Sequence, residues 1–155
     1  MITDNKLTFK EESSYRKDGF LVRENIFSKT EVVKINDALE RAASKALLLS
    51  KTGTVYHLDG KRFVDSDYLT VQFEPGLDSE TIRVIEPAHQ LDKELKELTE
   101  DPRLVSPIQN IIGMKSISLW TDKLNLKRPK EGSGFGWHQD SPYWAHDSEN
   151  VDLLP

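Results

Sequence analysis

The sequence predicts an α+β fold, with helices packed on a mostly antiparallel sheet. Three observations carry this. The strongest helical signal, a capping box followed by an amphipathic run, lies in the first fifty residues. Short apolar segments with a turn signal between them fill the middle of the chain. Helix-forming stretches and strands are grouped rather than alternating, which disfavours a parallel βαβ sheet. At 155 residues, the chain is long enough for one domain with a sizeable core, and it is read as a single domain over residues 1–155.

Thr8 to Asp18 reads as a short helix, with Gly19 placed to end it because glycine tolerates the left-handed conformation after a helix. Phe20-Leu21-Val22 is expected to form a short buried strand. In Ser28-Lys29-Thr30-Glu31, the serine and the glutamate can each satisfy the other's free amide. This capping box opens the main helix, about Lys29 to Ser50. Its apolar stripe comprises Val32, Val33, Ile35, Leu39, Ala42, Ala43, Ala46 and Leu47. Val55 to Leu58, Arg62 to Val64 and Leu69 to Phe73 read as strands, with Asp59-Gly60 as the turn between the first two.

Pro87 is expected to start a helix over about Ala88 to Glu100, whose charged run Asp92 to Glu100 reads as a solvated face. Asp101-Pro102 supplies an N-cap and a first-turn proline for a helix that Gly113 ends. Ile117 to Leu126 reads as a strand. A Pro/Gly-containing loop, Arg128 to Gly134, leads to a further expected strand carrying His138 and Asp140. The last segment, Val151 to Leu154, reads as the approach to another strand, so the sequence predicts an apparently truncated domain.

Composition narrows the function. Lys and Arg total 21 against 26 Asp and Glu, a net charge of −5, and no basic stretch tracks a nucleic-acid backbone. Cysteine is absent, which excludes disulfides and thiolate metal sites. No apolar run approaches the roughly 20 residues needed to span a bilayer. The N-terminus lacks a signal-peptide core, so a cytoplasmic protein is expected.

The chemistry concentrates at His138 and Asp140. On a strand, residues i and i+2 share a face, so an imidazole and a carboxylate would converge on one point. These are two of the three ligands of the facial triad that holds non-haem Fe(II). The competing account is a surface histidine hydrogen-bonded near an aspartate. His146 as a third ligand, or a zinc site built from His138, Asp140 and His146, would require a tight return after Pro142. A solvent-facing loop position suits His146 better. His57 and His89 lack acidic partners in sequence and read as structural or exposed. Arg83 reads as half of a strand-edge ion pair. Trp137, Tyr143 and Trp144 suit pocket lining and core equally.

Trp137-His138-Gln139-Asp140, followed by Pro142-Tyr143-Trp144 and preceded by a Lys/Pro/Gly loop, resembles the phytanoyl-CoA dioxygenase family. Tyr15 to Val22 with Phe27-Ser28 and Glu31-Val32 is similar to the family's opening, and Asp101 to Leu104 with Ile111 to Gly113 to its mid-chain helix. The resemblance covers nearly the whole chain and the first half of a typical member.

It implies a double-stranded β-helix, or jelly roll, with Fe(II) as cofactor and 2-oxoglutarate as cosubstrate. The implied reaction couples oxidative decarboxylation of 2-oxoglutarate to hydroxylation of a small or lipid-like molecule, including acyl-type ones. His138 and Asp140 match the metal ligands. Gln139 and Lys127 match positions near the cosubstrate. The family's distal histidine and its cosubstrate-binding arginine would lie downstream of Pro155. The rival expectation is therefore a catalytically inactive product or binding module that self-associates through exposed sheet edges.

Overall fold

The computed structural model describes residues 5–76 and 78–140. Among these residues, four helices and five strands form an α+β arrangement. The helices are α1 (Phe9–Asp18), α2 (Lys29–Ser50), α3 (Lys93–Thr99) and α4 (Pro102–Ile112). The strands are β1 (Thr54–Leu58), β2 (Lys61–Ser66), β3 (Leu69–Phe73), β4 (Ile82–Glu86) and β5 (Leu124–Asn125). They form one antiparallel sheet in the order β1-β2-β3-β4-β5. The expected strand approach at Val151 to Leu154 lies outside the described residues.

Local signals fold as they read. Thr8 and Glu11 close a capping box on α1, and Gly19 ends that helix at φ 78°. Ser28 and Glu31 do the same for α2. Asp101 caps α4, Pro102 opens it and Gly113 ends it in the left-handed region. Asp59 and Gly60 both take positive φ, 51° and 72°, as a tight turn between β1 and β2 requires.

The core lies between α2 and one face of the sheet. Val64, Val71 and Ile85 face one another across β2, β3 and β4, and Leu124 continues the row. Ala38, Ala42 and Ala46 recur every four residues along α2 and are fully buried, so the helix backbone approaches this row closely. Each buried Val or Ile contributes roughly 1.5–3 kcal/mol relative to exposure. The predicted stripe of α2 is narrower than expected: Val32 and Val33 are exposed, and Ala38 is buried instead.

The opposite face of the sheet is more polar. Phe63, Gln72, Val84 and Asn125 lie in register there, and Tyr56 stacks on Phe63 with ring centroids 5.2 Å apart. The register shifts at Gln72/Phe73, which makes Arg83 an extra residue on β4. Such a bulge re-aims a side chain, and here it sets Arg83 beside Glu74.

Four expectations fail for lack of a local cause. Phe20 to Val22 forms no strand, and Phe20 and Val22 are exposed. Ile117 to Leu126 contributes strand only at Leu124–Asn125. The helix expected from Ala88 begins at Lys93, under an Asp92 cap. The Ala88 and His89 amides donate instead to the Asp122 carboxylate at 2.8 and 2.9 Å. Residues 131–139 carry no strand either. Strand formation needs a hydrogen-bonded neighbour, and β5 provides only two residues of ladder.

Candidate metal site

The predicted ligand pair converges without a strand beneath it. His138 Nε2 lies 3.2 Å from Asp140 Oδ1. His138 Nδ1 lies 2.7 Å from the Gly136 carbonyl oxygen. A carbonyl only accepts, so Nδ1 carries a proton and donates it there. In neutral imidazole, Nε2 is then the lone-pair nitrogen, and it faces a carboxylate oxygen that also only accepts. Two facing acceptors at this distance require a cation or a proton between them.

The separation is that of a His–Asp hydrogen bond and is equally compatible with two ligands of one metal. Two ligands each about 2.1 Å from an ion and about 90° apart lie about 3.0 Å from each other. A backbone carbonyl bound to the other ring nitrogen is the usual means of orienting a metal-ligating histidine. Both side chains are about half exposed, 45% and 56%, so the position is open to an incoming ion. Among the described residues, no third His, Cys, Asp or Glu completes a metal cluster. His146, Tyr143 and Trp144 lie outside the described residues.

Lys127 reaches the same loop. Leu124 and Leu126 pack against the core, while Lys127 is exposed and its ammonium sits 5.4 Å from the centre of the Phe135 ring. Gln139 is exposed between the two candidate ligands. Trp137 is fully exposed, 106%, and is not part of the core formed among the described residues.

The other histidines separate clearly. His57 is exposed on β1. His89 is half-buried, and its Nδ1 pairs with Asp122, a partner 33 positions away that sequence spacing conceals. Arg83 does form an ion pair, with Glu74 at 3.3 Å. However, β4 is an inner strand and both side chains are 5% exposed, so the pair is buried rather than at an edge.

That pair extends into the loop ahead of His138. Glu74 accepts from the Ser133 amide at 3.1 Å and from the Ser133 hydroxyl at 2.6 Å. Arg83 Nη2 donates to the Gly134 carbonyl at 2.9 Å, and its guanidinium lies 4.0 Å from the Phe135 ring centre. Sequence reading missed Glu74 and Ser133. The only signal for them was a glycine-rich loop placed just before the ligand pair.

The structure also holds an apolar groove of about 930 Å³, lined by residues of α1, α4, the start of α2 and the segment between α1 and α2, including Tyr15, Phe27, Val32, Leu104 and Ile108. None of the predicted site residues lines it.

Residues 15–153 match the family described as phytanoyl-CoA dioxygenase (PhyH). The chain is 28% identical over 138 residues to the ectoine dioxygenase of Bordetella parapertussis, covering 89% of this chain and 38% of that protein. It is 26% identical over 133 residues to the ectoine dioxygenase of Nocardia farcinica, covering 85% and 38%. It is 29% identical over 69 residues to the L-proline trans-4-hydroxylase of Streptomyces griseoviridis, covering 44% and 25%. The chain thus spans about two-fifths, or less, of the length of these relatives. No solved structure matches it.

Proposed function

The chain belongs to the phytanoyl-CoA dioxygenase family, and on that premise we propose that it supplies two metal ligands, His138 and Asp140, to an Fe(II)- and 2-oxoglutarate-dependent dioxygenase that hydroxylates a small molecule. The observation that carries this reading is the convergence of His138 Nε2 on Asp140 Oδ1, with Nδ1 held by the Gly136 carbonyl. The relatives named for ectoine and L-proline support a small-molecule substrate over a macromolecular one. A jelly-roll fold for the intact protein is part of the same reading.

When bound, Fe(II) with 2-oxoglutarate would supply activation of O2, the oxidant, whose four electrons come from C–H hydroxylation of the substrate and decarboxylation of 2-oxoglutarate to succinate and CO2. The chain's own residues bind and orient. The Gly136 carbonyl fixes the imidazole tautomer that leaves Nε2 able to ligate. Asp140 places one negative charge beside it, partly neutralising a divalent cation. Lys127 is an exposed cation suited to a carboxylate of the cosubstrate, and its ammonium lies over the Phe135 ring. Gln139 offers an amide next to the metal ligands. Among the described residues β1 is an edge strand, with Val55 and Leu58 exposed, which supports a tendency to self-associate.

The test is 2-oxoglutarate decarboxylation by the intact protein with added Fe(II). Turnover is expected in the parent and is expected to be abolished by His138→Ala. Turnover that survives His138→Ala would remove the site from this pair.

A further inference from the structure

We propose that the buried Glu74–Arg83 pair is a latch that positions the metal-binding segment, so that both residues serve the site without touching its ligands. This rests on the metal reading of His138 and Asp140, and it concerns residues outside the pair.

Four hydrogen bonds define the latch. One joins Arg83 to Glu74, and the other three leave the sheet for the loop: Ser133 N and Oγ to Glu74, and Arg83 Nη2 to the Gly134 carbonyl. The Arg83 guanidinium also covers Phe135. Three consecutive loop residues are therefore gripped by two buried side chains, Glu74 just after β3 and Arg83 on β4, and the grip ends three residues before His138. Sequence separations of 51 and 59 mean that no local preference holds the loop there.

Stability alone does not explain the arrangement. A buried ion pair is often no better for stability than well-packed apolar residues of similar size. Arg83 also keeps its Nε buried without a hydrogen-bond partner among the described residues, which is a cost. The bulge at Arg83 serves the same end, since it sets the guanidinium beside Glu74 and under the loop. Residues 133–140 contain no helix or strand, so their position depends on such anchors. Ligand geometry held from outside the ligand set typically governs metal affinity by roughly 10–100-fold.

The experiment uses the intact protein and two designs. The double variant Glu74→Met/Arg83→Met removes both charges together, which avoids leaving one buried and unpaired. Ser133→Ala removes only the loop hydroxyl, and Ser133→Thr restores it. Two readouts are taken: Co(II) affinity by absorption titration, and hydrogen–deuterium exchange of residues 133–140 in the metal-free protein. In the double variant, exchange in this segment is expected to rise roughly tenfold or more while the β3 and β4 amides and the melting temperature stay near the parent's. Co(II) affinity is expected to fall roughly tenfold. Ser133→Ala should shift both readouts in the same direction, and Ser133→Thr should recover them. Parent-like exchange and Co(II) affinity in the double variant would overturn the latch. A rise in both sheet and loop exchange, with a lowered melting temperature, would also overturn it, since the pair would then be merely structural. If the parent binds no Co(II) yet loop exchange rises selectively, the latch stands and the metal reading falls.

Discussion

Gly132 and Gly134 stand two residues apart in the loop before the ligand pair, and they should respond very differently to a methyl group. A Cβ built on Gly132 lies 2.7 Å from Arg128 N, 2.9 Å from Arg128 O and 2.9 Å from Lys127 C, all backbone atoms that cannot swing aside. A Cβ on Gly134 meets nothing within 4 Å. Ordinary contact begins at 3.4 Å, so Gly132→Ala must open the Arg128–Gly132 turn by about 0.7 Å. That strains the 2.8 Å bond from the Gly132 amide to the Arg128 carbonyl. Overpacking costs about 1–3 kcal/mol and a strained hydrogen bond up to about 1 kcal/mol. About 2 kcal/mol is expected, within that range, equivalent to a melting-temperature drop of roughly 4–8 °C for a chain of this size. The displacement also exceeds the roughly 0.5 Å tolerance of a preorganised site, so Co(II) affinity should fall roughly tenfold. Gly134→Ala should leave both quantities within error of the parent. Calorimetry and absorption titration of the two variants side by side decide the matter. Equal effects at the two positions would refute the reasoning.

Other expectations follow from the same geometry. Ile85→Ala removes a fully buried side chain opposite α2 and should cost about 2–5 kcal/mol by chemical denaturation. Asp122→Ala strips the Ala88 and His89 amides of their acceptor and should lower stability by about 1–3 kcal/mol, with increased amide exchange at residues 88–91 as the specific signature. The Ser28 amide and hydroxyl, with help from Arg103, hold the Glu31 pKa at about 2 against an ordinary 4.5. The stability from that group is complete above pH 4.5 and is lost as pH falls towards 2. Glu31→Gln should therefore flatten the acid limb of a stability–pH curve in that window, and an unchanged slope would exclude Glu31 as a source of it. Asp140→Ala should weaken Co(II) binding at least as much as Gly132→Ala does.

What could be read from the chain depended on the range of the interaction. Capping boxes, an aspartate–proline helix start and an Asp-Gly turn act within four residues, and α1, α2, α4 and the β1–β2 hairpin formed where those signals stood. Apolar character alone was a poorer guide. Phe20 to Val22 and most of Ile117 to Leu126 have strand-like composition but are not strands, and composition alone cannot supply a neighbouring strand. The Ala88 amides looked free to start a helix, but a carboxylate 34 residues away captured them.

The sequence by itself determined the family and the identity of the candidate ligands. The spacing of His138 and Asp140 and the aromatic residues around them are local facts of the chain. Only the tertiary structure decided how that pair is held. His138 and Asp140 converge in a segment that carries no strand, with the Gly136 carbonyl against the imidazole. The segment carrying them is anchored by Glu74, just after β3, and Arg83, on β4, each more than fifty positions earlier. Those contacts arise because the sheet brings distant residues under one loop, and no pattern within a few residues of either end encodes that meeting.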